Sequence, residues 1–322
     1  MSDALVGLAA GLAAGVVMTR GGLCFNRAVR QAALEHKPRL LRAFGLAVAL
    51  QLLALPVLVA VGVDPLERSA KTGGLPLLPV AQIVGGLTFG VGMALAGGCI
   101  TGMLWKAGGG AVALGIAIAG FAAGELLIRG PGDSLIADLD DASRPSERAL
   151  TGLLGVDYEP LALAVGVAAL VLLLRRRRDG LIPGVALGLV AAGAWIAADA
   201  AGYGYGLGFV GAAEGTRRAV DTGGQLPFQL WLALGVVAGG AVAGRPRLRM
   251  PDGARAARAA AGGVLMGVGG NLAHGCNIGH GLTGLPLLSF GSLLAVTCMA
   301  LGAIAVGLAY RPRRGPSRLL RR

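Results

Sequence analysis

Charged residues are scarce in this sequence. Asp, Glu, Lys and Arg make up 14% of its 322 residues while 55% are hydrophobic, a balance too apolar for a soluble chain of this length. Alternating polarity is missing as well. A run such as Leu161 to Leu174 shows none of the in-out alternation that strands of about ten residues need, which excludes a transmembrane β-barrel. No cysteines are spaced as C-x-x-C: Cys24, Cys99, Cys276 and Cys298 lie far apart, the pattern of neither a disulfide scaffold nor a zinc site. Histidine is limited to His36, His274 and His280. A metal centre needs several ligands at short distance, so no metal and no cofactor is expected. The opening residues, Met1 to Ala14, lack a basic n-region and read as a retained span rather than a cleaved signal peptide.

What the chain does have is a succession of apolar runs, several near the roughly 20 residues that cross about 30 Å of hydrocarbon as a helix. The expected fold is an all-α polytopic membrane protein, one transmembrane domain over 1–322, with about nine spans at 4–20, 42–62, 80–97, 110–128, 160–174, 181–199, 228–244, 258–273 and 290–309. The net charge of +12 is not a nucleic-acid footprint, because the basic residues border apolar runs. With the N-terminus outside, inward segments hold five Lys and Arg from Arg27 to Arg42, Lys106, the block Arg175 to Arg178, five from Arg245 to Arg258 and six after Tyr310. Outward segments hold Arg68, Lys71, Arg129, Arg144, Arg148, Arg217 and Arg218. That bias predicts N-out, C-in.

Internal similarity supplies the architecture. Residues 85–102, GGLTFGVGMALAGGCITG, align without a gap to 262–279, GGVLMGVGGNLAHGCNIG, at a constant offset of 177. A weaker echo links Gly22-Leu23-Cys24-Phe25 to Gly206-Leu207-Gly208-Phe209. Four spans precede the span at 160–174 and four follow it, so the units (about 1–130 and 181–310, before a basic tail at 311–322) are expected to be inverted repeats. Glycine-broken hairpins then approach the midplane from opposite leaflets.

Cys99 follows Gly97 and Gly98, Cys276 follows Gly275, and Cys24 follows Gly21 and Gly22. One Gly-Gly-Cys turn is ordinarily tight packing around a small hydrophobe. Cysteine at corresponding positions of two inverted halves is not required by packing. Glycine breaks leave amides unpaired, and with the first turn beyond them they make an anion nest, here from Gly21, Gly22, Gly97, Gly98, Gly275, Asn277, Gly279 and His280. Thiols add weak donors and polarizable sulfur suited to a sulfur-bearing ligand. Arg20, Arg27 and Lys106 can draw an anion into the vestibules, although snorkelling anchors explain each singly. His274 and His280 are expected to donate hydrogen bonds within the second hairpin. Cys298, in TCMALG without adjacent glycines, is expected only to pack, and Glu125 and Arg129, four apart, to form a local ion pair.

TRGGLCFNRA (Thr19 to Ala28), ALAGGCITG (Ala94 to Gly102) and AHGCNIGHGLTG (Ala273 to Gly284) resemble the YeeE/YedE sulfur-transport (thiosulfate transporter) family over nearly the whole chain. The resemblance implies thiosulfate import across a bacterial inner membrane, through a narrow path with Cys24, Cys99 and Cys276 as its ligand cysteines. It also implies a partner. The sulfur-carrier domain fused to some relatives has no counterpart before Arg322, so a separate TusA-like carrier is expected at the cytoplasmic face. The competing readings are a membrane thiol oxidoreductase, disfavoured because no attacking and resolving thiols are paired in sequence, and a transporter of a selenium species or another oxyanion.

Overall fold

The computed structural model describes residues 3–64, 67, 69, 76–143, 154–176 and 179–310. Arg68, Lys71, Arg144, Arg148, Arg177, Arg178 and the basic tail 311–322 lie outside them. Among the described residues there is no strand. In chain order the helices are α1 (Asp3–Gly21), α2 (Phe25–Leu34), α3 (Arg39–Ala60), α4 (Pro79–Ala96), α5 (Ile100–Gly108), α6 (Val112–Ile128), α7 (Asp133–Ser143), α8 (Tyr158–Arg176), α9 (Leu181–Ala200), α10 (Ala212–Thr222), α11 (Phe228–Ala243), α12 (Gly253–Leu272), a π-helical turn (Gly279–Gly284) and α13 (Phe290–Ala309).

Each of the nine expected spans falls on a helix, but they are not equally fit to cross a bilayer alone. Six stretches are long and apolar enough: α1 with α2, α3, α4 with α5, α8, α9 and α13. The pair α6 and α7, bent by 75°, makes a seventh. Of the others, α11 has 16 residues, and α12 carries Arg255 and Arg258 in its first turns. Both pack on neighbouring helices: α11 lies on α1 and α5, and α12 between α4 and α6.

Helix association in lipid rests on close packing rather than on expulsion of water, so small residues belong at the contacts. Gly11 and Gly15 of α1 face Gly235 and Gly239 of α11, and a methyl on Gly235 would stand 2.8 Å from the Gly11 Cα. Between α4 and α12 the contacts are reciprocal. A methyl on Gly85 would stand 2.7 Å from the Gly269 carbonyl oxygen, and one on Gly262 would stand 2.7 Å from that of Gly92. A methyl on Gly92 would stand 2.6 Å from the Gly262 carbonyl oxygen, and one on Gly269 would stand 2.6 Å from that of Gly85. Each contact has its partner 177 residues along. The remaining neighbours follow the same exchange, since α1 packs on α11 as α9 packs on α3, and α12 on α6 as α13 on α4. Cys24, Cys99 and Cys276 sit in the one large buried cluster that these helices enclose.

Candidate functional site

Three helices, α1, α4 and α12, stop in the same way. A residue in the left-handed region breaks the helix: Gly22 at φ 61°, Gly97 at φ 84° and His274 at φ 59°. The next amide reaches back five residues to close the helix end, Leu23 to the Met18 carbonyl (2.9 Å), Gly98 to Met93 (3.1 Å) and Gly275 to Gly270 (2.8 Å), the hydrogen bond of a Schellman ending. One residue further stands a cysteine whose carbonyl opens the next turn. Ala28 donates to the Cys24 carbonyl (2.9 Å), Met103 to that of Cys99 (2.8 Å) and His280 to that of Cys276 (2.9 Å). Each expected path cysteine therefore occupies a helix N-cap. Glycine fits the first two breaks without strain. His274 is strained there at a cost of about 1 kcal/mol or more, and its ring is held by Asp140 at 2.8 Å.

At the first pair of breaks the cysteines meet. The Cys99 thiol donates to Cys24 Sγ at 3.7 Å and accepts the amides of Phe25 (3.3 Å) and Gly102 (3.4 Å). Thr101 Oγ1 lies 3.5 Å from the same sulfur. Gly102 makes room for both sulfurs, because a methyl there would stand 2.7 Å from Cys24 Sγ and 3.3 Å from Cys99 Sγ. Both thiols are fully enclosed. The absence of paired thiols inferred from sequence spacing is thus corrected in space: residues 75 apart are in contact, brought together because two separate helices break at the same depth. Asn26 donates to the Met93 carbonyl (2.9 Å) and Trp105 to that of Leu23 (3.0 Å), which ties the two breaks to each other.

The third break has one thiol. Cys276 Sγ accepts the Gly279 amide at 3.3 Å, and the Phe209 amide is also directed at it. Phe209 thus serves Cys276 as Phe25 serves Cys99, and Gly208 stands where Cys24 would be. Tyr205 donates to the Gly279 carbonyl at 3.4 Å. The His280 ring fixes the turn: Nε2 faces the Ala273 carbonyl (2.9 Å), so it carries the proton, and Nδ1 accepts from Ser292 Oγ (3.0 Å). Gly275 admits that ring, since a methyl there would meet His280 Nε2 at 2.8 Å. Asn277 is buried, with no partner at either side-chain amide atom.

Cavities approach the cysteines from two sides. One of about 680 Å³ ends on Cys276 and is lined by Tyr203, Tyr205, Gly208, Arg129, Arg218 and Gln229 among others. Two more, of about 280 and 440 Å³, share Gly97 and Lys106; Asn26, Arg27 and Arg30 line the smaller, Arg249 and Arg255 the larger. Lys106 sits 5.4 Å over the Trp105 ring. Arg20 ends α1 and lines none of these three. Cys298 packs on α4, where a methyl on Gly86 would stand 2.8 Å from its Cβ.

The expected Glu125–Arg129 ion pair gives way to two tertiary bonds. Arg129 Nε donates to Asn271 Oδ1 at 2.8 Å, on the wall of the Cys276 cavity. Glu125 Oε1 accepts the Glu214 amide at 3.1 Å and so caps α10, another part of that wall. The Glu125 carboxyl group thus serves the free N-terminus of α10 rather than the cation on its own helix, through Oε1 alone, since Oε2 has no partner among the described residues. On α10 itself, Arg217 and Arg218 bind the Glu214 carboxylate (2.7 and 3.3 Å), and the Arg217 guanidinium holds it below the usual carboxylate range. Tyr203 and Tyr205 were not singled out in the sequence, Arg129 was read only as the partner of Glu125 and Asn271 only as part of the repeat, whereas Gly208 and Phe209 stood in the weaker echo of Gly22 to Phe25.

Cavities thus lie on two sides of the thiols at the broken helices. The sequence family described as Sulphur transport matches residues 20–183 and again 172–305. The chain belongs to the sulphur transport family. Two relatives align along nearly their whole length. Thiosulfate transporter TsuA of Spirochaeta thermophila is 31% identical, with 92% of this chain and 96% of the relative covered. The protein of the same name from Escherichia coli is 27% identical, with 96% of each covered. Within this family the chain is a multi-pass membrane transporter of sulfur compounds and not an enzyme.

Proposed function

We propose that the chain imports thiosulfate, or a closely related small sulfur-containing anion, along a path from the Cys276 cavity past the Cys24–Cys99 pair to the cavities at Lys106. One observation carries this reading: three thiols stand at the N-caps of three helix breaks, enclosed between cavities on two sides. Names of the two relatives supply the substrate. The terminal sulfur of the anion accepts a weak S–H bond from Cys276 and then from Cys99, while the amides of Phe209, Gly279, Phe25 and Gly102 and the helix ends offset its charge. Soft, weak contacts hold the anion without trapping it. Asn277, next to Cys276 in the chain, lines instead a separate apolar cavity of about 970 Å³ with Phe25, Phe44 and Ala300.

The reciprocal α4–α12 contacts support inverted halves related about an axis in the plane of a bacterial inner membrane, with the N-terminus outside and the Cys276 cavity opening outward. A small TusA-like carrier is the partner expected at the cytoplasmic mouth. Impermeant labelling of single cysteines at Asp3 and Asp252 tests the orientation: reaction from the same side refutes it.

Uptake of labelled thiosulfate, per amount of inserted protein, tests the path. Serine keeps the size and adds a stronger donor but loses polarizable sulfur. Cys24→Ser, Cys99→Ser and Cys276→Ser are each expected to lose at least about tenfold, and Cys298→Ser nothing. Wild-type uptake in all three would leave only a basic pore. Sulfate and selenium oxyanions as competitors measure selectivity.

A further inference from the structure

Most of the buried polar groups near the path have a partner or a place in the proposed transport, but the contact between Cys24 and Cys99 allows chemistry that a relay does not use. Their sulfurs are 3.7 Å apart, and a disulfide needs about 2.05 Å, so an approach of about 1.7 Å suffices. Each thiol opens a separate short helix, α2 or α5, and each helix hangs from a left-handed glycine, Gly22 or Gly97, where even an added methyl would find open space. Gly102 leaves the space between the sulfurs free of a side chain. The 280 Å³ cavity, lined by Asn26 and Gly97, comes within two residues of each cysteine, so a small oxidant in it has only the local opening of these two helix ends to cross. Neither of the other cysteines offers this geometry: Cys276 faces Gly208, and Cys298 packs on Gly86.

We propose that Cys24 and Cys99 form a redox modification site, at which a hydroperoxide converts the two thiols into a disulfide that staples α2 to α5 and closes the constriction. One sulfur attacks the O–O bond of hydrogen peroxide, giving a sulfenic acid and one water. The second thiol displaces the hydroxyl as another water while the S–S bond forms. The two thiols lose two electrons and two protons, and the peroxide takes both and becomes two waters. A dithiol reductant restores the thiols by exchange. Closure rests on the transport path proposed above; the disulfide does not.

The test uses the full chain in proteoliposomes, treated with hydrogen peroxide and digested without reductant. The expected product is a peptide pair joined through Cys24 and Cys99, lighter by two hydrogens than the separate peptides, formed equally in Cys298→Ser protein and lost in Cys99→Ala protein. Thiosulfate uptake should fall at least tenfold on oxidation and return with dithiothreitol. Absence of the joined peptide, or joining through Cys276 or Cys298 instead, overturns the site. Joined peptide with undiminished uptake overturns the closure. A chain that carries no thiosulfate in either state overturns the proposed function, while the peptide still decides the disulfide.

Discussion

The break at Cys99 and the break at Cys276 use the same hydrogen bonds and come to opposite ends. Each begins with a left-handed residue, closes its helix with an amide five residues on, and directs an amide three residues beyond the cysteine onto its sulfur. At Cys99 the facing segment continues straight from Cys24 into α2, and the two thiols fill the gap. At Cys276 the facing position is Gly208, the segment stays unwound to Gly211, and α10 swings away to be capped by Glu125. One substitution, cysteine for glycine, thus accompanies the difference between two enclosed thiols in contact and a cavity of about 680 Å³. The two breaks share their backbone hydrogen bonds, and the side chains facing each sulfur differ; under the proposed path, that difference would let the Cys276 side admit the ligand and the Cys24–Cys99 side restrain it.

The largest effects should come from breaking the shared architecture. Gly85→Ala and Gly262→Ala both push a methyl into backbone of the facing helix, where nothing can give, so each should cost about 1–3 kcal/mol. Thermal unfolding in detergent measures it. Equal losses are expected from the reciprocal contacts, and a loss confined to one of the two would break the equivalence of the halves.

A smaller effect separates the two breaks. In Gly102→Ala the methyl stands 2.7 Å from Cys24 Sγ, whereas in Gly279→Ala its nearest neighbours are Tyr205 at 3.5 Å and Cys276 Sγ at 3.8 Å. Thiosulfate uptake should fall about tenfold in the first, the equivalent of about 1.4 kcal/mol, and stay within about twofold in the second. The reverse order would mean that the open side sets the rate.

Much of this was legible in the sequence, and the reasons differ by element. The 177-residue match marked Cys99 and Cys276 because close helix packing demands glycine along the segments that lead to them, and glycine is conspicuous in a hydrophobic run, even though the second break itself turns on His274. Helix positions were legible from apolar length. Contact between Cys24 and Cys99 was not, because spacing along the chain says nothing about two helices that break at the same depth. Tyr203, Tyr205 and Arg129 were hidden for another reason: they reach the cavity from a loop and a helix end whose placement depends on tertiary caps such as Glu125 on α10.

Filling the open side gives a milder change. Gly208→Val adds bulk beside Tyr205 (3.4 Å) and the Tyr203 hydroxyl (3.7 Å) without a clash at its Cβ, so the protein should insert normally. The KM for thiosulfate should rise by about threefold to tenfold, roughly 0.7 to 1.4 kcal/mol, with maximal uptake little changed. A fall in maximal uptake at constant KM would place the limiting contact elsewhere than the Cys276 cavity.

The smallest effect concerns α10, the helix that the second half moves out to the cavity wall, compared with α2, which the first half keeps in its core. Glu214 on α10 has its folded-state pKa depressed, first by its bond to Arg217. A carboxylate of that kind stabilises docking at pH above its ordinary value near 4.3, and the contribution is lost as pH falls through the lowered value. Amide exchange along α10 should therefore keep its protection from pH 7 down to about 4.5 and lose part of it below about 4, relative to α2, which is held by buried Phe25, Ala28 and Val29 and has no acidic residue in its first turn. Glu214→Gln keeps the backbone amide that Glu125 accepts but has no charge to lose, so its α10-to-α2 ratio should be lower at neutral pH and flat with acid. Should the acid-dependent loss persist in Glu214→Gln, the wall of the cavity is held by Glu125 rather than by the Glu214 cluster, and the contrast between the halves lies in the cap alone.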